Sequence, residues 1–199
     1  MPNSPLHISV EGCIGIGKTT LATQLAGFRN AVAIHEDFKS NPFLEAFYHD
    51  PAGNAFETEM QFLLTHYHQL KGVASSNQET IADFAFSMNL VFGDMNFRVE
   101  AEKIAFKQLY DFLSTKLSTP HIRIYLKGSD DLVLERIRKR NRSMEQKSES
   151  DYYKAVNKAY ERVFANPASN VIILEAAQFD SLNPKDIAGL SATIDSLKL

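Results

Sequence analysis

Five short runs of aliphatic and β-branched residues, at 6–10, 31–34, 80–83, 122–126 and 171–174, alternate with longer stretches whose apolar positions recur at helical spacing. Short runs rich in β-branched residues predict buried strands. Strands separated by helices imply a parallel sheet covered on each side, a three-layer α/β arrangement with five strands. Phe56, Met60, Leu63, Tyr67 and Leu70 share one side of a helix expected over 54–73. Phe106, Leu109, Tyr110, Leu113 and Leu117 repeat the pattern, with Glu102, Lys103 and Lys107 on the wet side, and predict a second long helix to about 118, just before Pro120. Asn41-Pro42 marks another helix start, and Ile187, Leu190, Ile194 and Leu197 mark an amphipathic helix after Pro184. All of these stripes are read as core packing.

No repeat, low-complexity tract or linker interrupts the pattern, so residues 1–199 are read as one domain, long enough to bury a core without disulfides. Twenty-one Lys and Arg against 24 Asp and Glu give a net charge of −3, which argues against a general nucleic-acid binder. The single cysteine, Cys13, excludes an intrachain disulfide and a Cys-based zinc site, and fits a reducing cytoplasm. No basic-then-apolar leader and no apolar run near the roughly 20 residues that cross a bilayer occur, so neither secretion nor membrane insertion is expected.

The sharpest chemical signal is Gly12-Cys13-Ile14-Gly15-Ile16-Gly17-Lys18-Thr19, a G-x-x-x-x-G-K-T between an expected strand and an expected helix. Such a loop wraps an anion with inward-pointing amides. Its glycines allow close backbone approach, Lys18 brings a charge to the β- and γ-phosphates, and Thr19 offers a hydroxyl to Mg²⁺. The phosphate-binding set is Gly12, Gly15, Gly17, Lys18, Thr19 and Thr20, and the ligand is a nucleoside triphosphate. Cys13 is a small filler within the loop. These features together predict a P-loop NTPase fold.

What receives the phosphoryl group must be read elsewhere. Glu36, in His35-Glu36-Asp37-Phe38, follows the second strand at the end where ligands of parallel sheets collect, and is either a base for an alcohol or a surface acid. Asp83, closing the third strand, is either a Mg²⁺ partner or a strand-end cap. Arg136 and Arg140 lie four apart with Arg142 just beyond, as an arginine-rich lid over a polyanion or as a solvated basic face. Joined to the phosphate loop, the lid reading is preferred.

In that order, Val10 to Thr20, Glu36-Asp37-Phe38, Asn41-Pro42-Phe43-Leu44, Phe47-Tyr48 to Asp50-Pro51, the Phe62 to Leu70 helix, Asp83 and the stretch from Arg136 to Gln146 make a chain that resembles the deoxynucleoside kinase family over most of its length. The resemblance implies ATP with Mg²⁺ as donor, a deoxynucleoside 5′-hydroxyl as acceptor, and a homodimer built on two long helices of each subunit. It also implies Glu36 as the base, Tyr48 and Glu145 as the grip on the sugar 3′-hydroxyl, Arg136, Arg140 and Arg142 as catalytic lid arginines, and Thr19 with Asp83 as the metal site. The pattern departs from the family at four places. Phe84 stands where an arginine usually follows the strand-end acid, Glu59 where a glutamine reads the base, and His66 where an arginine lies seven residues on. A family acid is also absent near Asn89. Glu59, His66, Asp83 and Phe84 are expected to line the acceptor pocket of a divergent bacterial subgroup. Two other readings stand beside this one: a nucleoside monophosphate kinase such as a thymidylate kinase relative, against which a poorly cationic acceptor site counts, and a nucleotide-binding regulatory protein that has lost transfer.

Overall fold

The computed structural model describes residues 5–142 and 150–197. Five strands, β1 (His7–Gly12), β2 (Val32–Ile34), β3 (Thr80–Ala82), β4 (Ile122–Lys127) and β5 (Val171–Glu175), form one all-parallel sheet in the order β2-β3-β1-β4-β5. Eight helices surround it among the described residues: α1 (Lys18–Arg29), α2 (Leu44–His49), α3 (Pro51–Leu70), α4 (Met88–Asn96), α5 (Glu100–Ser114), α6 (Asp130–Arg140), α7 (Ser150–Val163) and α8 (Pro184–Ser196). Each expected strand is present within two residues of its expected bounds.

The apolar stripes serve the core. One cluster joins Ile8 and Val10 of β1, Leu21 and Leu25 of α1, and Ile124 of β4 to Ile187 and Ile194 of α8. A second joins Leu63 and Leu70 of α3 to Phe106 and Leu113 of α5, with Phe84 and Phe86 between. Full burial of each such side chain stabilises the fold by about 1.5–3 kcal/mol.

Helix boundaries are where periodicity misleads. α3 starts three residues before the expected 54 because Asp50 accepts from the Gly53 N–H at 3.1 Å and Pro51 occupies the first turn, a cap that precedes any buried residue of the helix. α5 ends at Ser114 rather than near 118. Beyond it Lys116 and Leu117 N–H groups donate to Leu113 and Ser114 carbonyls in tighter turns, which still leaves Leu117 against the core.

Because all strands point the same way, the ends of β1, β2 and β3 open on one edge. The register pairs Ile34 with Ala82 and Ser9 with Ala82, so the loops that start at Cys13, His35 and Asp83 emerge side by side.

Candidate active site

The loop between β1 and α1 is shaped by backbone conformations that side chains resist. Gly12 has φ +144°, and a Cβ there would stand 2.5 Å from the Leu126 carbonyl oxygen of the neighbouring strand; Gly15 has φ +80° against the Ile137 side chain. The loop feeds directly into α1, whose first turn carries no acidic residue to repel an anion from the positive dipole end of the helix. Lys18 Nζ donates to the carbonyls of Gly12 at 2.9 Å and Cys13 at 3.1 Å, which holds its charge across the loop. Cys13 is 1% exposed, its thiol donates to the Tyr153 carbonyl, and burial pushes that thiol up to about 12, so it is packing and not a nucleophile.

Asp83 joins the three loops. Its Oδ2 accepts from Thr19 Oγ1 at 2.5 Å and lies 3.5 Å from His35 Nδ1, while its Oδ1 accepts from the Glu36 backbone N–H at 2.7 Å. The same carboxylate thereby fixes the Thr19 hydroxyl and the start of the Glu36 loop.

Glu36 stands in the cleft with its side chain 38% exposed, yet protein atoms surround it on the other sides. Burial pushes its carboxyl up. The hydrogen bond and charge of His66, with Lys18 and Arg142 behind them, outweigh burial and bring it below the ordinary carboxylate value. His66 Nε2 lies 3.2 Å from Glu36 Oε1, and its Nδ1 lies 3.0 Å from Asn89 Oδ1. Phe84, at the position where the family usually has an arginine, stacks on the imidazole at 4.4 Å.

One cavity of about 270 Å³ is lined by Lys18, Thr19, Glu36 and Asp83 at one end and by Tyr48, Glu59, His66 and Phe84 at the other. Arg140 and Arg142 border it, and the Arg142 guanidinium lies 4.2 Å over the Phe38 ring. A larger hollow between α4, α5 and α7 holds none of these residues. Glu59 is 4% exposed and accepts from Asn96 Nδ2 at 2.7 Å; burial, opposed by that bond and reinforced by the charge of Glu36, pushes its carboxyl up to about 8. Burial followed by the charge of Glu59 also raises the Tyr152 hydroxyl.

The expected site residues do not all converge. Glu59 and His66 both line the cavity, but each bonds elsewhere, Glu59 to Asn96 and His66 to Glu36 and Asn89. Arg136 stays outside the cavity: its guanidinium donates to the Ile16 and Ala176 carbonyls and so ties the phosphate loop to the end of β5. Thr20 is exposed in the first turn of α1. Glu145 falls outside the described residues. Sequence reasoning missed Asn96 and Tyr152 altogether. Asn96 ends α4, a helix too short for a clear periodic signal, and nothing in the residues around Tyr152 marks it for a pocket 93 positions from Glu59 in the chain.

A strand, a glycine-rich phosphate loop and a helix at the centre of a parallel sheet, with a strand-end aspartate on the loop threonine, define a nucleotide-dependent P-loop α/β protein. The chain matches the family model for deoxynucleoside kinases over residues 8–195, and it belongs to that family. It is 32% identical to the deoxyguanosine kinase of Bacillus subtilis, an alignment covering 98% of this chain and 99% of that one, and 27% identical to a deoxyadenosine/deoxycytidine kinase of the same organism over 90% of this chain and 86% of that one. The structure of deoxyadenosine kinase from M. mycoides with bound dCTP superimposes with a TM-score of 0.81 at 25% identity, over 96% of this chain and 100% of that one.

Proposed function

We propose that this chain transfers the γ-phosphoryl group of ATP to the 5′-hydroxyl of a deoxynucleoside, giving the monophosphate. The observation that carries this reading is the single cavity with a phosphate loop at one end and Glu36 facing the same space. Loop amides, Lys18 and the N-terminus of α1 bind the triphosphate, with Arg140 and Arg142 as lid arginines that neutralise charge on the transferring group. Arg136 acts by holding the loop's shape through Ile16. The Thr19 hydroxyl and Asp83 carboxylate, already in contact, are hard oxygen ligands converging on one point, a fit for Mg²⁺, which takes few protein ligands and completes its shell with water and phosphate. A Mg²⁺ held by Thr19 and Asp83 would supply charge neutralisation for the triphosphate.

Glu36 orients the 5′-hydroxyl and accepts its proton as the 5′-oxygen bonds to the γ-phosphorus and the bridge to the β-phosphate breaks. Held below the usual carboxylate range, Glu36 is ionised and ready to accept at neutral pH. Tyr48, with Glu145, grips the 3′-hydroxyl. Glu59, which keeps its proton near pH 7 and accepts from Asn96 at Oε1, lines the base end of the cavity and has its O–H left to donate to the base. The one cysteine supports a cytoplasmic setting, and Ile104 and Phe112, exposed on α5, support a homodimer formed through long helices. No helix among the described residues is long and apolar enough to cross a membrane.

The test is an acceptor panel: purified protein with Mg-ATP and the four deoxynucleosides or their monophosphates. Phosphorylation of deoxynucleosides is expected, with Glu36→Gln cutting turnover about 10²-fold or more while ATP affinity holds. Transfer only to monophosphates would replace this reading with a monophosphate kinase, and ATP binding without turnover on any acceptor would favour a regulatory protein.

A further inference from the structure

We propose that His66 is a positioning residue for the reaction: anchored by Asn89 and enclosed by aromatic rings, it holds one oxygen of Glu36 so that the other meets the acceptor hydroxyl. The inference rests on Glu36 being the base, and assigns His66 to the reacting end of the cavity instead of the nucleobase end.

The anchoring chain reads outward from the backbone. Asn89 Nδ2 donates to the Phe86 carbonyl at 2.8 Å, which turns Oδ1 of the same amide toward His66 Nδ1 at 3.0 Å. An amide oxygen only accepts, so Nδ1 carries the proton and donates. That leaves Nε2 to Glu36 Oε1, 3.2 Å away. The ring cannot turn easily, since Phe84 stacks on it at 4.4 Å, Phe62 lies 5.6 Å away, and its side chain is only 8% exposed. Three short links, Phe86 to Asn89, Asn89 to His66 and His66 to Glu36, therefore connect main chain to a carboxylate whose own side chain is more than a third open to the cleft.

The consequence follows from what a partly exposed glutamate does alone. Three rotatable bonds let it sample many orientations, and a misplacement of about 1 Å at the reacting atoms can cost about 10² in rate. The backbone of Glu36 is separately fixed by Asp83, so the imidazole supplies the restraint on the carboxylate end. Because Nδ1 is committed to Asn89, Nε2 holds Glu36 Oε1 as a donor when the imidazole carries both protons, and the proton taken from the alcohol goes to Oε2, the oxygen His66 does not engage. The charged and polar groups around the pair are Lys18 of α1, Glu59 of α3, Asp83 after β3, Arg142 beyond α6 and Tyr160 of α7.

The experiment compares His66→Ala, His66→Gln, Glu36→Gln and the double variant Glu36→Gln/His66→Ala by steady-state kinetics on the best deoxynucleoside of the panel. His66→Ala should lower kcat 10- to 100-fold while the KM values for ATP and deoxynucleoside stay within about threefold and the order of base preference is kept. His66→Gln, which can still place a donor on Glu36, should recover most of kcat. The double variant should be no slower than Glu36→Gln alone, as expected for residues acting as one unit. A raised deoxynucleoside KM or a reordered base preference with kcat intact would overturn the inference and return His66 to nucleobase recognition. A fully active Glu36→Gln would instead remove Glu36 as base, a separate result from an active His66→Ala beside a crippled Glu36→Gln, which removes only the positioning role. If His66→Ala does not fold, ¹⁵N NMR of the unsubstituted protein decides: a protonated Nδ1 is expected, and a bare Nδ1 overturns the Asn89 anchor.

Discussion

Glu59 makes the stability of this protein depend on pH in a direction opposite to most carboxylates. Replacing it with glutamine keeps its shape and its Oε1 acceptor for Asn96, and removes only the ability to ionise. In the folded chain the carboxyl titrates at about 8 in place of 4.5, chiefly because burial penalises the charged form. The groups facing it are Asn96 of α4, Glu36 and Tyr152 of α7, none of them a cation. Between pH 4.5 and about 8 the folded state therefore holds a proton that the unfolded state has released, and stability falls as pH rises through that window. At about 1.4 kcal/mol per pH unit the loss by the top of the window is roughly 3–5 kcal/mol. Urea unfolding at pH 5, 7 and 8.5 should show Glu59→Gln close to the unsubstituted protein at pH 5 and more stable by that amount at pH 8.5, or about 10 °C in Tm. An equal stability difference at all three values would refute the reasoning, because it would mean that Glu59 ionises as readily folded as unfolded.

The remaining predictions concern the loop and the sheet. Lys18→Ala should weaken ATP binding and lower turnover by at least 10²-fold without lowering Tm, measured by titration calorimetry, kinetics and thermal scans, because Nζ donates to the Gly12 and Cys13 carbonyls of the loop itself and not to the core. Gly12→Ala should cost about 1–3 kcal/mol from its φ of +144° alone, with further loss from the approach to Leu126, and should abolish nucleotide binding; denaturant midpoints and nucleotide titration check both. Arg123→Ala should destabilise by about 3–5 kcal/mol in urea melts, since Arg123 makes two 2.6 Å bonds to Glu11, a fully buried carboxylate that would keep only Ser9. The double replacement of Glu11 and Arg123 by apolar residues should recover part of that loss.

Much of the fold was legible because each strand carries a short cluster of β-branched or aliphatic residues between helical stretches, and because Leu63 and Leu70, or Phe106 and Leu113, must face one core. The phosphate loop was legible for a related reason. Wrapping a polyanion demands glycine where φ is positive and a lysine and threonine at set offsets, all within eight consecutive residues, so the requirement is written locally. Glu36 and Asp83 could be placed at strand ends, but not in contact: their partnership through the Glu36 N–H depends on the register of β2 on β3.

The acceptor end of the cavity was decided by tertiary structure alone. His66 and Glu59 lie on one helix seven residues apart; helical spacing put them side by side, and the family resemblance placed both at the acceptor pocket. Their partners come from α4 and the β2 loop, and those partners send His66 to Glu36 and Glu59 to Asn96. Phe84 in sequence was a missing arginine, and in the fold is the surface on which an imidazole stacks. Local conformation and burial periodicity are properties of neighbouring residues and survive in the one-dimensional chain. Which polar side chain meets which is set by the packing of elements tens of residues apart, and only the folded arrangement fixes those distances.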